Sequence, residues 1–113
     1  MSSTRLRDAE PPELHIRVLS SEGRSIVHVS GELDVYTAAR LRDSLAGLIS
    51  GGARHIVVDL ADLSFMGASG LGVLVGAWKR MQRDDGKLLV RSAPPSVQKI
   101  IEITGLEATL RRI

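Results

Sequence analysis

The run His55-Ile56-Val57-Val58-Asp59-Leu60 is a short apolar stretch without clear alternation, and it lies between two segments whose apolar residues recur at helical spacing. Such a run reads as a central strand covered on both faces. Before it, Ala38, Leu41, Leu45, Leu48 and Ile49 mark one face of an amphipathic helix, with Thr37 as its N-cap and Gly51-Gly52 as its stop. After it, a loop from Ala61 to Ala68 leads to Leu71, Leu74, Val75 and Trp78, which mark a second helix ended by Asp84-Asp85-Gly86. A chain with this order is committed to strand–helix–strand units and to a right-handed parallel crossover.

The flanks extend the pattern. Leu14, Ile16 and Val18 alternate with His15 and Arg17, Ser20 to Gly23 supplies turn chemistry, and Ile26 to Val29 resumes a β-rich run, so residues 14–30 read as an antiparallel hairpin. Gly31-Glu32-Leu33-Asp34 ends it. Lys87 to Arg91 is a further strand, and Pro94-Pro95-Ser96 opens a third helix whose Val97, Ile100, Ile101 and Thr104 precede Gly105. In order this is ββαβαβα: one α/β domain over residues 14–113, with a mixed four- to five-stranded sheet and helices packed on it. Residues 1–13 are polar, end near Pro11-Pro12 and read as a flexible N-terminal tail, while Leu106 to Ile113 fits no single element. No solenoid-length repeat or low-complexity block is present.

Composition narrows the chemistry. At 113 residues the chain holds one hydrophobic core and not two. There is no cysteine, which removes disulfides, thiolate metal sites and thiol nucleophiles together and fits a reducing cytoplasm. Fifteen Lys+Arg against 13 Asp+Glu leave a formal charge of +2, and the only aromatic residues are Tyr36, Phe65 and Trp78 with no basic cluster beside them. Nucleic-acid binding is therefore not expected. The first residues lack the apolar stretch of a signal peptide, and no apolar run approaches the roughly 20 residues of a membrane span.

Catalytic motifs are missing. His15, His28 and His55 sit in separate predicted strands and read as core or surface fillers, so no metal site is expected. Residues 67–72 (GASGLG) match neither a phosphate loop nor a dinucleotide fingerprint, and residues 66–70 miss the Gly-x-Ser-x-Gly elbow. Asp34, Asp59 and Asp62 could in principle pair for acid–base work, but spacing of this kind occurs in most α/β domains. Neither an enzyme nor a cofactor is expected. What stands out is Ser69 at the entrance of the second helix. It suits an N-cap, and it equally suits a phosphate, which the unpaired N–H groups and partial positive charge of a helix start would stabilise. Gly72 and Gly76 give that helix a smooth flank, open to two explanations: close packing on the sheet or a partner face.

Three runs carry a resemblance. Gly31-Glu32-Leu33-Asp34-Val35-Tyr36-Thr37-Ala38, Arg54 to Leu60 continued by Asp62-Leu63-Ser64-Phe65-Met66, and Ser69-Gly70-Leu71-Gly72-Val73-Leu74 resemble the anti-sigma factor antagonists of the STAS superfamily. Pro95-Ser96-Val97 with Ile103-Thr104-Gly105-Leu106 is similar to that family's C-terminal helix and its exit. The resemblance implies a cytoplasmic bacterial switch protein: unphosphorylated, it binds an anti-sigma factor that is also a serine kinase and frees a sigma factor; the kinase reverses this by phosphorylation and a PP2C-type phosphatase restores it. The partner surface expected from it comprises Asp34, Thr37, Gly67, Ala68, Ser69, Gly70 and Leu71, with the exposed flank of the second helix. The family's loop typically reads Met-Asp-Ser-Ser-Gly or Asp-Ser-Thr-Gly, where this chain has Gly67 and Ala68 in place of the aspartate and the phosphorylated hydroxyl. Either Ser69 is the phosphoacceptor, or the domain binds its partner constitutively. Geometry leans to the second, since one residue along a helix turns a side chain by roughly 100°. The other functions weighed are the STAS subunit of an ABC-type transporter complex and, more weakly, a hydrolase using Asp34 and Ser69.

Overall fold

A computed structural model of the chain describes residues 14–105. The elements run β1 (His15–Ser21), β2 (Arg24–Leu33), α1 (Ala38–Ser50), β3 (His55–Met66), α2 (Ala68–Arg83), β4 (Lys87–Arg91) and α3 (Pro95–Ile103). The predicted N-terminal tail and the stretch from Leu106 to Ile113 lie outside the described residues.

The strands form one mixed sheet in the order β1-β2-β3-β4, with β1 antiparallel to β2 and the other pairs parallel. The hairpin between β1 and β2 closes on Glu22 and Gly23, which have φ of 53° and 80° and join the paired Ser21 and Arg24. Two consecutive left-handed residues make the turn whose twist suits a hairpin. Because β2, β3 and β4 follow in sequence and right-handed crossovers join them, α1 and α2 lie side by side over the same face.

That face is the core. Val27, Val58 and Val90 share one rung of the sheet and are all buried, under Leu41 and Leu45 of α1 and Leu71, Leu74 and Met81 of α2. The opposite face is built of registered rungs. Leu19, Ile26, Val57 and Leu89 stand abreast, and so do Arg17, His28, Asp59 and Arg91. Val57 and Asp59 are half-buried, so β3 is not enclosed on both sides as its apolar run suggested: it alternates, with Ile56, Val58 and Leu60 inward.

A second correction concerns residues 61–66. They are strand rather than loop, paired with β2 as far as Leu33 opposite Met66. Register shifts between His28 and Ser30 and between Gly31 and Glu32 break the alternation, so that Ala61 and Asp62 are exposed in succession. Irregular pairing hid the strand from its periodicity.

Candidate functional site: the joined ends of β2 and β3

Two connections meet at one end of the sheet, because β2 and β3 are adjacent and parallel. Leu33 ends one strand beside Met66 at the end of the other, and the Gly67 N–H donates to the Leu33 carbonyl at 2.9 Å. The turns into α1 and α2 therefore start from a single hydrogen-bonded platform.

The first turn is fixed by its own side chains. Asp34 Oδ1 accepts from the backbone N–H groups of Tyr36 at 2.9 Å and Thr37 at 3.0 Å, the pattern of an Asx turn. Thr37 stands at the N-cap of α1 as expected, but its hydroxyl makes no cap bond. It turns back instead, donating to the Glu32 carbonyl at 2.8 Å and accepting from the Asp34 N–H at 3.0 Å. Asp34 and Thr37 thus hold the loop that presents Val35 and Tyr36, which are 69% and 88% exposed.

In the second turn Gly67 is the N-cap of α2, with extended backbone and no side chain to cap with. Ser69 is therefore not the cap predicted for it. It already lies inside the first turn, half-buried, beside the flank of α2 that faces α1, while Ala68 is exposed. Gly70 and Leu71, expected on the partner surface, are both buried. A β-carbon on Gly70 would fall 2.5 Å from Leu33 Cγ and Cδ2 and 3.1 Å from Met66 Cγ, so glycine there lets α2 close onto the strand ends. These two residues support the turn from beneath and do not present it.

Phe65, which motif spacing did not single out, completes the surface. It is 49% exposed, and its ring edge is the nearest group to Gly67, 3.4 Å from where a β-carbon would be. Strand alternation was the available signal, since Met66 points in and its neighbour must point out. Val35, Tyr36 and Phe65 are thus three of the exposed large apolar side chains, the first two on the turn into α1 and the third at the end of β3 just before the turn into α2.

Gly72 and Gly76 do not pack on the sheet. A β-carbon at either would meet nothing within 4 Å, and both line a groove of about 350 Å³ between α1 and α2. Each glycine costs its helix about 1 kcal/mol relative to alanine, with no steric need to offset it.

Of the three acidic residues, Asp34 stands apart, whereas Asp59 and Asp62 line one shallow cavity with His15 and His28. Asp59 lies on the opposite sheet face, where its carboxylate accepts from Arg91 Nη2 at 2.8 Å and from the Ala61 N–H at 3.0 Å, with His28 Nδ1 3.3 Å away. Burial pushes its pKa up, but the Ala61 and Arg91 hydrogen bonds and the charges of Arg91 and His28 outweigh that, and the net direction is downward. Asp34 is committed to its turn. Among the described residues no group of three or more His, Asp or Glu is placed to hold a metal ion, and no helix is long and apolar enough to cross a membrane.

The arrangement as a whole is a one-sided α/β sheet whose two strand-to-helix turns are joined at one end. The STAS domain model matches residues 15–113, and the chain belongs to the STAS domain family. It is 35% identical over 94 residues to the anti-sigma-B factor antagonist of Staphylococcus aureus, covering 83% of this chain and 87% of that one. Among solved structures it is similar to an anti-sigma factor antagonist from Mycobacterium paratuberculosis, with a TM-score of 0.81 and 27% identity over 88% of this chain and 85% of the other. The unphosphorylated form of the antagonist SpoIIAA shares the fold, with a TM-score of 0.77 at 23% identity over 88% of each chain.

Proposed function

We propose that the protein is an anti-sigma factor antagonist, which binds an anti-sigma factor through the joined ends of β2 and β3 and so releases a sigma factor for transcription. The observation that carries this is the exposure of Val35, Tyr36 and Phe65 at the joined ends of β2 and β3, on backbone that Asp34, Thr37 and the Gly67–Leu33 bond hold in place. Apolar side chains displayed on a fixed scaffold suit protein binding better than turnover. The likeness to the staphylococcal antagonist supports the class of partner.

The partner is an anti-sigma factor with serine kinase activity, the setting is the cytoplasm, and the protein catalyses no reaction of its own. Binding is constitutive. The outward position at the start of α2 is Ala68, a methyl group that cannot be phosphorylated, whereas Ser69 one residue on is half-buried and lines the groove between α1 and α2. A kinase and a PP2C-type phosphatase that act at the outward position would find no substrate here. A transporter STAS subunit would share the fold, but the relatives at hand are sigma-pathway antagonists.

Phosphorylation of Ser69 is the second form of the same proposal, favoured by its half-exposed hydroxyl beside the free N–H groups of the helix start. One experiment separates the possibilities. Tagged protein is captured from lysate of its native host, and the peptide spanning Gly67 to Leu71 is weighed in the same sample. Recovery of an anti-sigma serine kinase with an unmodified peptide is the expected result. A transporter ATPase in its place would overturn the function, and phosphate on Ser69 would overturn constitutive binding alone.

A further inference from the structure

The groove between α1 and α2 is open because of what is absent from its wall. Glycine is among the poorest helix formers, yet Gly72 and Gly76 occupy two exposed turns of α2 where an added β-carbon would find no neighbouring group within 4 Å. Leu45 and Ile49 of α1 form the floor, and Val73 lies beside them. Among the described residues the only charged groups on its lining are cations. Arg42 stands with Ser69 near the starts of the helices, and Arg80 stands near their ends, where its Nη2 donates to Ser50 Oγ at 2.9 Å. Asp43 reaches Arg42 Nε at 3.4 Å, but both side chains are more than half exposed, so this pair does not hold the guanidinium away from the groove. No acid lines it.

We propose that this groove is a second docking site, occupied by a helix of the protein's partner that lays a narrow apolar ridge over Gly72 and Gly76 and carries a carboxylate at each end. Arg42 lies about one turn into α1 and Arg80 about three turns into α2, so the matching acids are about two turns, or seven residues, apart. The occupant is a helix because the slot is straight, walled by two helices and smooth on one side, the geometry of helix-in-groove recognition. It is acidic because both ends are cationic. The site is continuous with the surface around Ala68 through Ser69, which belongs to the groove's near end. Only the identity of the protein that carries the helix rests on the function proposed above.

The test uses two fluorescein-labelled helical peptides of about fifteen residues with the same Ala and Leu face, one with Glu at two positions about seven apart and one with Lys there. Titrated against the full chain, the Glu peptide is expected to bind about 10-fold or more tighter than the Lys peptide and to move the methyl resonances of Leu45, Ile49 and Val73. Arg42→Glu with Arg80→Glu inverts that preference. Gly72→Leu with Gly76→Leu fills the slot and lowers affinity by about 10-fold or more, with helical circular dichroism retained; should that variant unfold, Gly72→Ala with Gly76→Ala, whose methyl groups enter open space, takes its place. Gly47→Ala, on an open position of α1 outside the groove, leaves binding unchanged.

Equal binding of the two peptides, no binding of either, or binding undiminished in the filled groove would overturn the proposal. So would concentration-dependent dimerisation abolished by filling, which would assign the slot to a second copy. No kinase takes part in the titration. A chain that binds the Glu peptide yet captures no anti-sigma factor keeps the groove and loses the function, and the converse keeps the function and loses the groove.

Discussion

A β-carbon built on Gly70 would stand 2.5 Å from both Cγ and Cδ2 of Leu33, a side chain with no exposed surface. Helix α2 meets the end of β2 only because position 70 has no side chain. Gly70→Ala should therefore destabilise by about 1–3 kcal/mol, since a buried branched side chain has to be displaced to admit the methyl group. Thermal denaturation checks it. The same change at Gly72, where the space is open, should leave the protein unchanged or more stable.

Thr37→Val removes the hydroxyl that links Glu32, Asp34 and Thr37 while keeping the volume of the side chain. Two hydrogen bonds of a part-buried loop are lost, at a cost of about 1–3 kcal/mol. Asp34→Ala should free the Val35–Tyr36 turn in the same way, and Asp34→Asn should restore it, because the amide oxygen can still accept from the Tyr36 and Thr37 N–H groups. Backbone NMR relaxation of residues 34–37 in the three variants distinguishes the outcomes.

Tyr36→Ser and Phe65→Ser should separate binding from folding. Tyr36 is 88% exposed, so its replacement should move stability by no more than about 0.5 kcal/mol, and Phe65, 49% exposed, should cost about 1 kcal/mol. Affinity for the captured anti-sigma factor should fall by about 10-fold or more for each if these residues are anchors, measured by calorimetry against wild type.

Ala68→Asp places a carboxylate at the outward position of the α2 start and should weaken partner binding by about 10-fold or more, about 1.4 kcal/mol. Ser69→Asp should weaken it less, since that residue is half-buried on the lining of the groove beside α1. Gly67→Asp with Ala68→Ser should create a phosphorylatable protein. The backbone accepts the change, because a β-carbon at Gly67 finds only ordinary contact with Phe65 at 3.4 Å. Incubation with the captured kinase and ATP, followed by mass measurement, reads the result.

Asp59 supplies the pH dependence. Its folded-state pKa lies below the ordinary carboxylate value, so its contribution to stability is complete above about pH 4 and is lost as the pH falls through the folded value. Arg91→Met removes the guanidinium at 2.8 Å and should raise the Asp59 pKa. The variant should be less stable than wild type at neutral pH, and the gap should close under acid conditions. Urea denaturation across pH 2–7 with carboxyl NMR of Asp59 tests both statements.

Most of the architecture could be read from residue order alone, because periods of two and of 3.6 alternate cleanly from Leu14 to Ile103. The failures were local. Residues 61–66 passed for a loop since register shifts in β2 put Ala61 and Asp62 outward together, and the apparently continuous run at His55 concealed a strand with one covered face. At the site, Asp34 and Thr37 were found as residues but not in their roles, which depend on a hydroxyl turning away from the helix it begins. Ser69 was assigned to a cap that Gly67 occupies, a shift of two positions that no pattern of polar residues encodes. Leu71 belonged to a matching motif and proved to be core, whereas Arg42 and Arg80 belong to no motif and converge only through the packing of two helices.

The bond from Gly67 to the Leu33 carbonyl has one more consequence. It welds connections about thirty residues apart in the chain into one stiff piece with no hinge between them. A surface built this way has little room to signal by moving. A switch for such a surface works by adding a charge or withholding one, and the alanine methyl at position 68 offers no hydroxyl to carry it.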